Sequence, residues 1–137
     1  MTRRSDPPDA VVQPDPVVLD GDTLTPRRVA LIAREGAEAR LAPAARARND
    51  AARATLAALI ESGADLYGVS TGVGALREHR INPDERASSG IAVLRSHAGG
   101  AGRALPATLV RAAMATRANQ LAAGGAGVTA ELLDALV

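Results

Sequence analysis

The chain has 137 residues, which is room for one domain of ordinary size with a modest core. Its formal net charge is +1 and it holds one Tyr but no Phe or Trp, so it lacks the basic, aromatic surface typical of nucleic-acid binding. It has no Cys for a disulfide framework or a thiolate metal site, and no apolar run near the roughly 18 residues of a membrane span.

The N-terminal segment, residues 1–15, carries three Pro and three Asp and shows no hydrophobic period, which predicts a disordered tail. We expect residues 16–137 to form one mainly helical unit with one or two short strands near its start. The apolar run Val17–Leu19 predicts the first strand. The sequence Asp-Gly-Asp at residues 20–22 predicts the turn that follows it.

Local start and stop signals mark the next elements. Thr25 before Pro26 is typical of a helix N-terminus, and Gly36 is typical of its end. The inner face of this helix is expected to consist of Val29, Ile32 and Ala33. A short extended segment is expected at residues 40–41.

Two longer helices follow. The first is expected to begin at Pro43 and to end at Gly63. Its predicted apolar face holds Leu56, Leu59 and Ile60. In the second, Asn82 precedes a Pro and Glu85 stands three residues later, which predicts an N-cap with a capping box. His97 lies at the expected end of this helix.

Two final helices are predicted near the C-terminus. The first begins at Pro106 and ends at the Gly pair that starts with Gly124. Its expected buried face holds Leu109, Val110, Ala113, Met114 and Ala118. Thr129 is the expected N-cap of a short helix over residues 130–136.

The segment Tyr67–Gly74 is the candidate site. It holds the one aromatic ring of the chain and three glycines, which allow backbone N–H groups to approach a ligand. It is no Walker A loop, since the chain has no Lys, and Arg77 occupies the third glycine position of a dinucleotide fingerprint. A half-buried Tyr with its hydroxyl bonded to a carbonyl is the structural alternative.

Three blocks carry a family resemblance. Leu66–Leu76 reads Leu-Tyr-Gly-Val-Ser-Thr-Gly-Val-Gly-Ala-Leu and resembles the Tyr-Gly-x-x-Thr-Gly-x-Gly signature of the aromatic amino acid ammonia-lyases, the histidine ammonia-lyase family. Leu94–Gly102 is similar to the Ser-His-Ala-x-Gly segment of the histidine-specific branch. Arg117–Val128 resembles the Ala-Asn-x-Leu-Ala-x-Gly run of the same family. The likeness covers residues 16–137.

The resemblance implies the N-terminal part of the ammonia-lyase fold and a carbon–nitrogen lyase acting on an aromatic amino acid. By motif position, Tyr67 would be the base that removes the β-proton. The loop around it would be shaped by Gly68, Thr71, Gly72 and Gly74. Ser96 and His97 would line the pocket for the substrate side chain, and His97 would hydrogen-bond an imidazole, which favours L-histidine as substrate and urocanate as product.

Other polar residues keep two interpretations. A phenol titrates near 10, so a Tyr base needs a nearby cation or donated hydrogen bonds. Arg77 and Arg80 lie close along the chain, but each fits an ordinary solvated arginine equally well. His79 is flanked by charges and is expected at the surface. Asn119 is either a surface amide or a structural residue.

The resemblance also implies a prosthetic group that this chain does not encode. In the family, an Ala-Ser-Gly tripeptide cyclises into a methylidene-imidazolone electrophile, and no such tripeptide occurs here. The electrophile and the central helical bundle are expected beyond residue 137. The expected partners are an amino acid substrate and a homotetramer or a complementary C-terminal portion, without nucleic acid, membrane or metal, in the cytoplasm. We expect the isolated chain to be inactive.

Three alternatives stay open. The chain could be a truncated paralogue that binds or regulates a full-length lyase. An aminomutase would share the same base and electrophile. The Gly-rich loop could also bind a phosphate or another small anion.

Overall fold

The computed structural model describes residues 14–137, so the expected disordered tail, residues 1–15, lies almost entirely outside the described residues. The described chain is mainly helical with two short strands, as predicted. The strands are β1 (Val17–Leu19) and β2 (Ala39–Leu41). The helices are α1 (Pro26–Glu35), α2 (Pro43–Glu61), α3 (Arg86–His97), α4 (Ala107–Ala122) and α5 (Ala130–Leu136). Two 3₁₀ turns, Gly74–Leu76 and Pro83–Glu85, lie between α2 and α3.

A small parallel β-α-β unit forms the start of the described chain. β1 pairs with β2 in parallel, with Val17 opposite Ala39. Parallel neighbours need a crossover connection, and α1 supplies it. The ends of α1 are as predicted: Thr25 Oγ1 accepts the N–H of Arg28 at 3.3 Å, and Gly36 takes the left-handed conformation with φ 75°.

The core lies where β1 and α1 pack against the C-terminal half of α4. Its buried members are Val17, Leu19, Ile32, Ala37, Ala115 and Ala118. Ile32 and the neighbouring Ala33 are buried and Val29 is half-buried, which confirms the predicted inner face of α1. Burial of apolar surface stabilises a fold by about 25 cal/mol per Å². An Ala side chain has little such surface and therefore contributes little. This core therefore combines the burial of Val17, Leu19 and Ile32 with small alanines that allow the backbones to approach closely.

The turn after β1 crosses the end of α4 at very close range. Gly21 has φ 91°, and a Cβ built on it would lie 2.4 Å from both Cα and N of Ala123. Asn119 Oδ1 accepts the N–H of Gly21 at 3.0 Å. Arg48 on α2 donates to carbonyl oxygens on both sides of this crossing. Asn119 therefore has a structural role, one of the two interpretations left open by the sequence.

Two predicted helix faces are confirmed only in part. On α4, the predicted Leu109, Val110 and Met114 are exposed. The buried residues of α4 are Ala115, Ala118, Leu121 and Ala122. On α2 the buried residues are Ala45 and Asn49, whereas the predicted Leu56 and Ile60 are half-buried and Leu59 is exposed. Both helices make their tightest contacts mainly through small or polar residues, with Leu121 the one large buried side chain of α4.

The start of α3 also departs from the prediction. Residues 83–85 form a 3₁₀ turn, and the α-helix begins only at Arg86. Asn82 makes no side-chain cap hydrogen bond, and its Nδ2 donates to Glu85 Oε2 at 3.3 Å. Because these two side chains bond to each other, the predicted capping box does not form. At α5, by contrast, Thr129 Oγ1 accepts the N–H of Leu132 as predicted.

No helix within residues 14–137 combines the length and the apolar content that crossing a membrane requires.

Candidate functional site

The glycine-rich loop starts from a compact turn just after α2. The N–H groups of Val69, Ser70 and Thr71 all donate to the carbonyl oxygen of Leu66, at 3.0 to 3.2 Å. Ser70 Oγ accepts the N–H of Leu66 at 2.8 Å and donates to the carbonyl oxygen of Ala64 at 2.7 Å. Ser70 and Thr71 are buried. The polar residues inside the motif therefore hold the backbone of the loop.

The far end of the loop is closed by backbone pairing. Gly72 N–H donates to the carbonyl oxygen of His79, and Ile81 N–H donates to that of Ser70, both at 2.9 Å. Arg80 Nε lies 2.8 Å from Asp65 Oδ1. Both partners of this ion pair are exposed, so it contributes little stability. Arg80 is therefore an exposed arginine with a carboxylate partner, which fits the ordinary solvated interpretation.

Tyr67 projects from this loop into solvent. Its side chain is 66% exposed, and its Oη accepts the backbone N–H of Gly74 at 3.1 Å. The structural alternative for this residue, a hydroxyl bonded to a carbonyl, is wrong, because the partner is a donor. A hydrogen bond donated to an oxygen becomes shorter and stronger when that oxygen is ionised. The Tyr67 hydroxyl therefore lies at an exposed residue and accepts a hydrogen bond from the backbone of its own loop.

Glycine is required at three positions of the loop for two different structural reasons. Gly68 and Gly74 take left-handed conformations, with φ 70° and 59°. Gly72 has an ordinary φ, but a Cβ built on it would lie 2.6 Å from the carbonyl oxygen of Leu76. Gly72 is therefore needed for the tight packing of the 3₁₀ turn that presents the N–H of Gly74.

A cleft of about 170 Å³ separates the loop from α3. Its lining includes Gly68, Thr71, Val73, Arg86, Gly90 and Val93. Neither Tyr67 nor His97 lines it. The structure therefore brings together the two elements that carry the predicted site residues, but it does not place those two side chains in one cavity of this chain.

Ser96 and His97 end α3 one turn beyond this cleft. Both side chains are exposed. Ser96 Oγ donates to the carbonyl oxygen of Val93 at 2.8 Å, and His97 Nδ1 lies 2.9 Å from both that carbonyl oxygen and Ser96 Oγ. The His97 ring is therefore held at Nδ1 by contacts within its own helix, and the edge of the ring that carries Nε2 makes no hydrogen bond within residues 14–137.

One polar residue of the cleft was missed by the sequence analysis. Arg86 Nε is buried and has no hydrogen-bond partner among the described residues. Arg86 belongs to none of the three motif blocks and follows a charged stretch, so no sequence signal distinguishes it from a surface arginine.

Among residues 14–137, the carboxyl with the most strongly lowered pKa is that of Asp20, which lies away from the loop. Hydrogen bonds from the Thr23 hydroxyl and backbone hold the pKa of Asp20 well below its usual range. Within residues 14–137, no group of three or more His, Asp or Glu residues is placed to hold a metal ion.

Comparisons with known proteins give a consistent result. A family model described as aromatic amino acid lyase matches residues 24–137. The probable histidine ammonia-lyase of Halobacterium salinarum is 40% identical over 121 residues, which are 88% of this chain and 23% of that protein. The histidine ammonia-lyase of Anaeromyxobacter sp. (strain K) is 41% identical, over 88% of this chain and 24% of that protein.

A solved structure agrees with the sequence relatives. The tyrosine aminomutase of Streptomyces globisporus superposes with a TM-score of 0.85 at 30% identity, covering 88% of this chain and 23% of that one. The chain thus spans about a quarter of the length of the proteins that it matches.

Proposed function

This chain belongs to the aromatic amino acid lyase family, and we propose that it supplies the proton-abstracting loop and the side-chain pocket of a histidine ammonia-lyase. The expected fold, the N-terminal part of an ammonia-lyase, is confirmed by its match to the aminomutase structure. The substrate and the roles of Tyr67, Ser96 and His97 are part of the proposal.

The observation that carries the proposal is the setting of the Tyr67 hydroxyl. It is exposed to a substrate on one side and bonded to the Gly74 N–H on the other. In the proposed reaction, Tyr67 Oη takes the proton from the β-carbon, and the Gly74 N–H stabilises the oxygen as it becomes negative. The backbone donor needs no rearrangement during this step, because the loop already holds it in place.

The residues that would form the prosthetic group of the family are not present in this sequence. The family uses the methylidene-imidazolone, which activates the substrate for loss of ammonia, but no Ala-Ser-Gly tripeptide occurs in these 137 residues. The loop and α3 hold only the base and the side-chain pocket. We therefore assign this chain the steps of binding, orientation and proton removal, and we expect no lyase activity from it alone.

The polar end of α3 supports a proposal for the substrate. His97 presents its open ring edge at the position proposed for the substrate side chain, and the named sequence relatives are histidine ammonia-lyases. We propose L-histidine as the substrate and urocanate and ammonia as the products. The amino acid and the remaining part of a homotetramer are the proposed partners.

A fusion protein tests this proposal. Residues 16–137 of this chain would replace the matching segment of the Anaeromyxobacter sp. relative, and urocanate formation would be followed by its absorbance. We expect histidine turnover by the fusion and none by this chain alone. A fusion that assembles to the same size as the unaltered relative but turns over neither histidine nor tyrosine would overturn the proposal.

An aminomutase is the second candidate, because the tyrosine aminomutase of Streptomyces globisporus superposes with a TM-score of 0.85. An aminomutase moves the amino group and returns a β-amino acid, whereas a lyase releases free ammonia. Product analysis of the same fusion by mass spectrometry separates the two. The third candidate, a paralogue that only binds a full-length lyase, would co-purify with the intact relative without restoring turnover to its truncated form.

A further inference from the structure

The hydrogen bonds at the end of α3 define which nitrogen of His97 carries the proton. Three atoms form a close triangle: the Val93 carbonyl oxygen, Ser96 Oγ and His97 Nδ1, with separations of 2.8, 2.9 and 2.9 Å. A carbonyl oxygen only accepts hydrogen bonds, whereas a hydroxyl and an imidazole nitrogen can do either. The Val93 carbonyl oxygen is therefore the one atom of the triangle that is always an acceptor.

Only a protonated Nδ1 fits this triangle. If Nδ1 were bare, its lone pair would face the lone pairs of the Val93 carbonyl oxygen at 2.9 Å. The Ser96 hydroxyl has one hydrogen, and its 2.8 Å contact with the same carbonyl uses it. That hydrogen is then not available to Nδ1. With Nδ1 protonated, its N–H donates to the carbonyl oxygen or to Ser96 Oγ, and every contact is attractive.

The consequence lies at the other ring nitrogen. In a neutral imidazole, one nitrogen is a donor and the other is an acceptor. Nε2 of His97 makes no hydrogen bond within residues 14–137, and the residue is exposed. Nε2 is therefore a bare acceptor directed away from the helix backbone contacts.

We propose that His97 is fixed as a hydrogen-bond acceptor at Nε2, and that Ser96, together with the Val93 carbonyl, is the positioning residue that fixes this tautomer. The inference rests on the proposed function for its consequence: the pocket takes a substrate side chain that offers a ring N–H or an O–H group. A side chain with no donor, such as a phenyl ring, leaves Nε2 unpaired and is disfavoured.

Nitrogen NMR of the ¹⁵N-labelled chain tests the tautomer without any assay of turnover. At a pH of about 8.5, where an ordinary imidazole is neutral, long-range proton–nitrogen correlations report which ring nitrogen is protonated. His79 is the other histidine of the chain and is exposed, so it is the internal reference. A His79→Gln variant assigns the signals.

We expect His97 to show a protonated Nδ1 and a bare Nε2. A His97 with mainly protonated Nε2 would overturn the inference and would leave the proposed lyase function standing. Conversely, an inactive fusion with the expected His97 tautomer would overturn the function alone.

Two variants test the part played by Ser96. Removing one hydrogen-bonding partner in Ser96→Ala is expected to shift the ratio of the two His97 tautomers by about threefold to tenfold toward protonated Nε2. Ser96→Thr keeps the hydroxyl and is expected to restore the ratio. The backbone amide spectrum of α3 verifies that both variants are folded. An unchanged ratio in folded Ser96→Ala would overturn the role assigned to Ser96.

Discussion

The crossing between the first turn and α4 makes a sharp prediction about Gly21. A Cβ at this residue would lie 2.4 Å from the backbone of Ala123, and the backbone φ of 91° disfavours any residue with a side chain. A left-handed conformation costs about 1–2 kcal/mol, and overpacking adds about 1–3 kcal/mol. We expect Gly21→Ala to lower the free energy of unfolding by about 2–5 kcal/mol, a large part of the stability of a small domain.

Gly36 provides the matched control for this prediction. Its φ is 75°, but a Cβ built on it has no heavy atom within 4 Å. Gly36→Ala is therefore expected to cost only the conformational part, about 1–2 kcal/mol. Urea unfolding followed by circular dichroism gives both values by linear extrapolation. Equal losses in the two variants would refute the close backbone contact at Gly21.

Three further predictions concern the glycine-rich loop and the loss of folding stability at low pH. Ser70→Ala removes the acceptor of the part-buried Leu66 N–H and is expected to cost about 1–3 kcal/mol in urea unfolding, so a loss below about 0.5 kcal/mol would contradict the anchoring role. Gly72→Ala places a Cβ 2.6 Å from the Leu76 carbonyl oxygen and is expected to destabilise by about 1–3 kcal/mol and to shift the amide signals of the 3₁₀ turn, so an unchanged spectrum would count against it. Because hydrogen bonds from Thr23 lower the pKa of Asp20 in the folded state, its contribution is present above the unfolded pKa of about 3.9 and is lost as the pH falls below that value. Stability measured between pH 6 and pH 3 is therefore expected to fall less steeply in Asp20→Asn than in the native chain, and parallel profiles would contradict this.

Local signals in the sequence predicted the elements well. Thr25, Gly36 and Thr129 act where they were expected, because capping depends on a few neighbouring residues. The buried face of α4 could not be predicted in the same way. In an Ala-rich helix the apolar contrast between faces is small, and here the contact favours Ala118 over the larger Leu109.

In the candidate site, too, the local motifs were predictable from the sequence and the tertiary contacts were not. The motif around Tyr67 identified the loop and the family, because the order of residue types is readable without a structure. The Gly74 N–H that bonds the Tyr67 hydroxyl depends on the conformation of six intervening residues, and no residue type specifies it. The buried Nε of Arg86 depends on how α3 meets the loop, which is a tertiary contact.

The central claim is that Tyr67 is the base of a lyase, and the most direct measurement compares Tyr67→Phe with the unaltered fusion. The substitution keeps the ring and removes only the oxygen that accepts the Gly74 N–H. We predict that kcat for histidine falls by about 10²- to 10⁴-fold with little change in KM and in assembly size. A Tyr67→Phe fusion that keeps kcat within about threefold of the unaltered fusion would contradict the account.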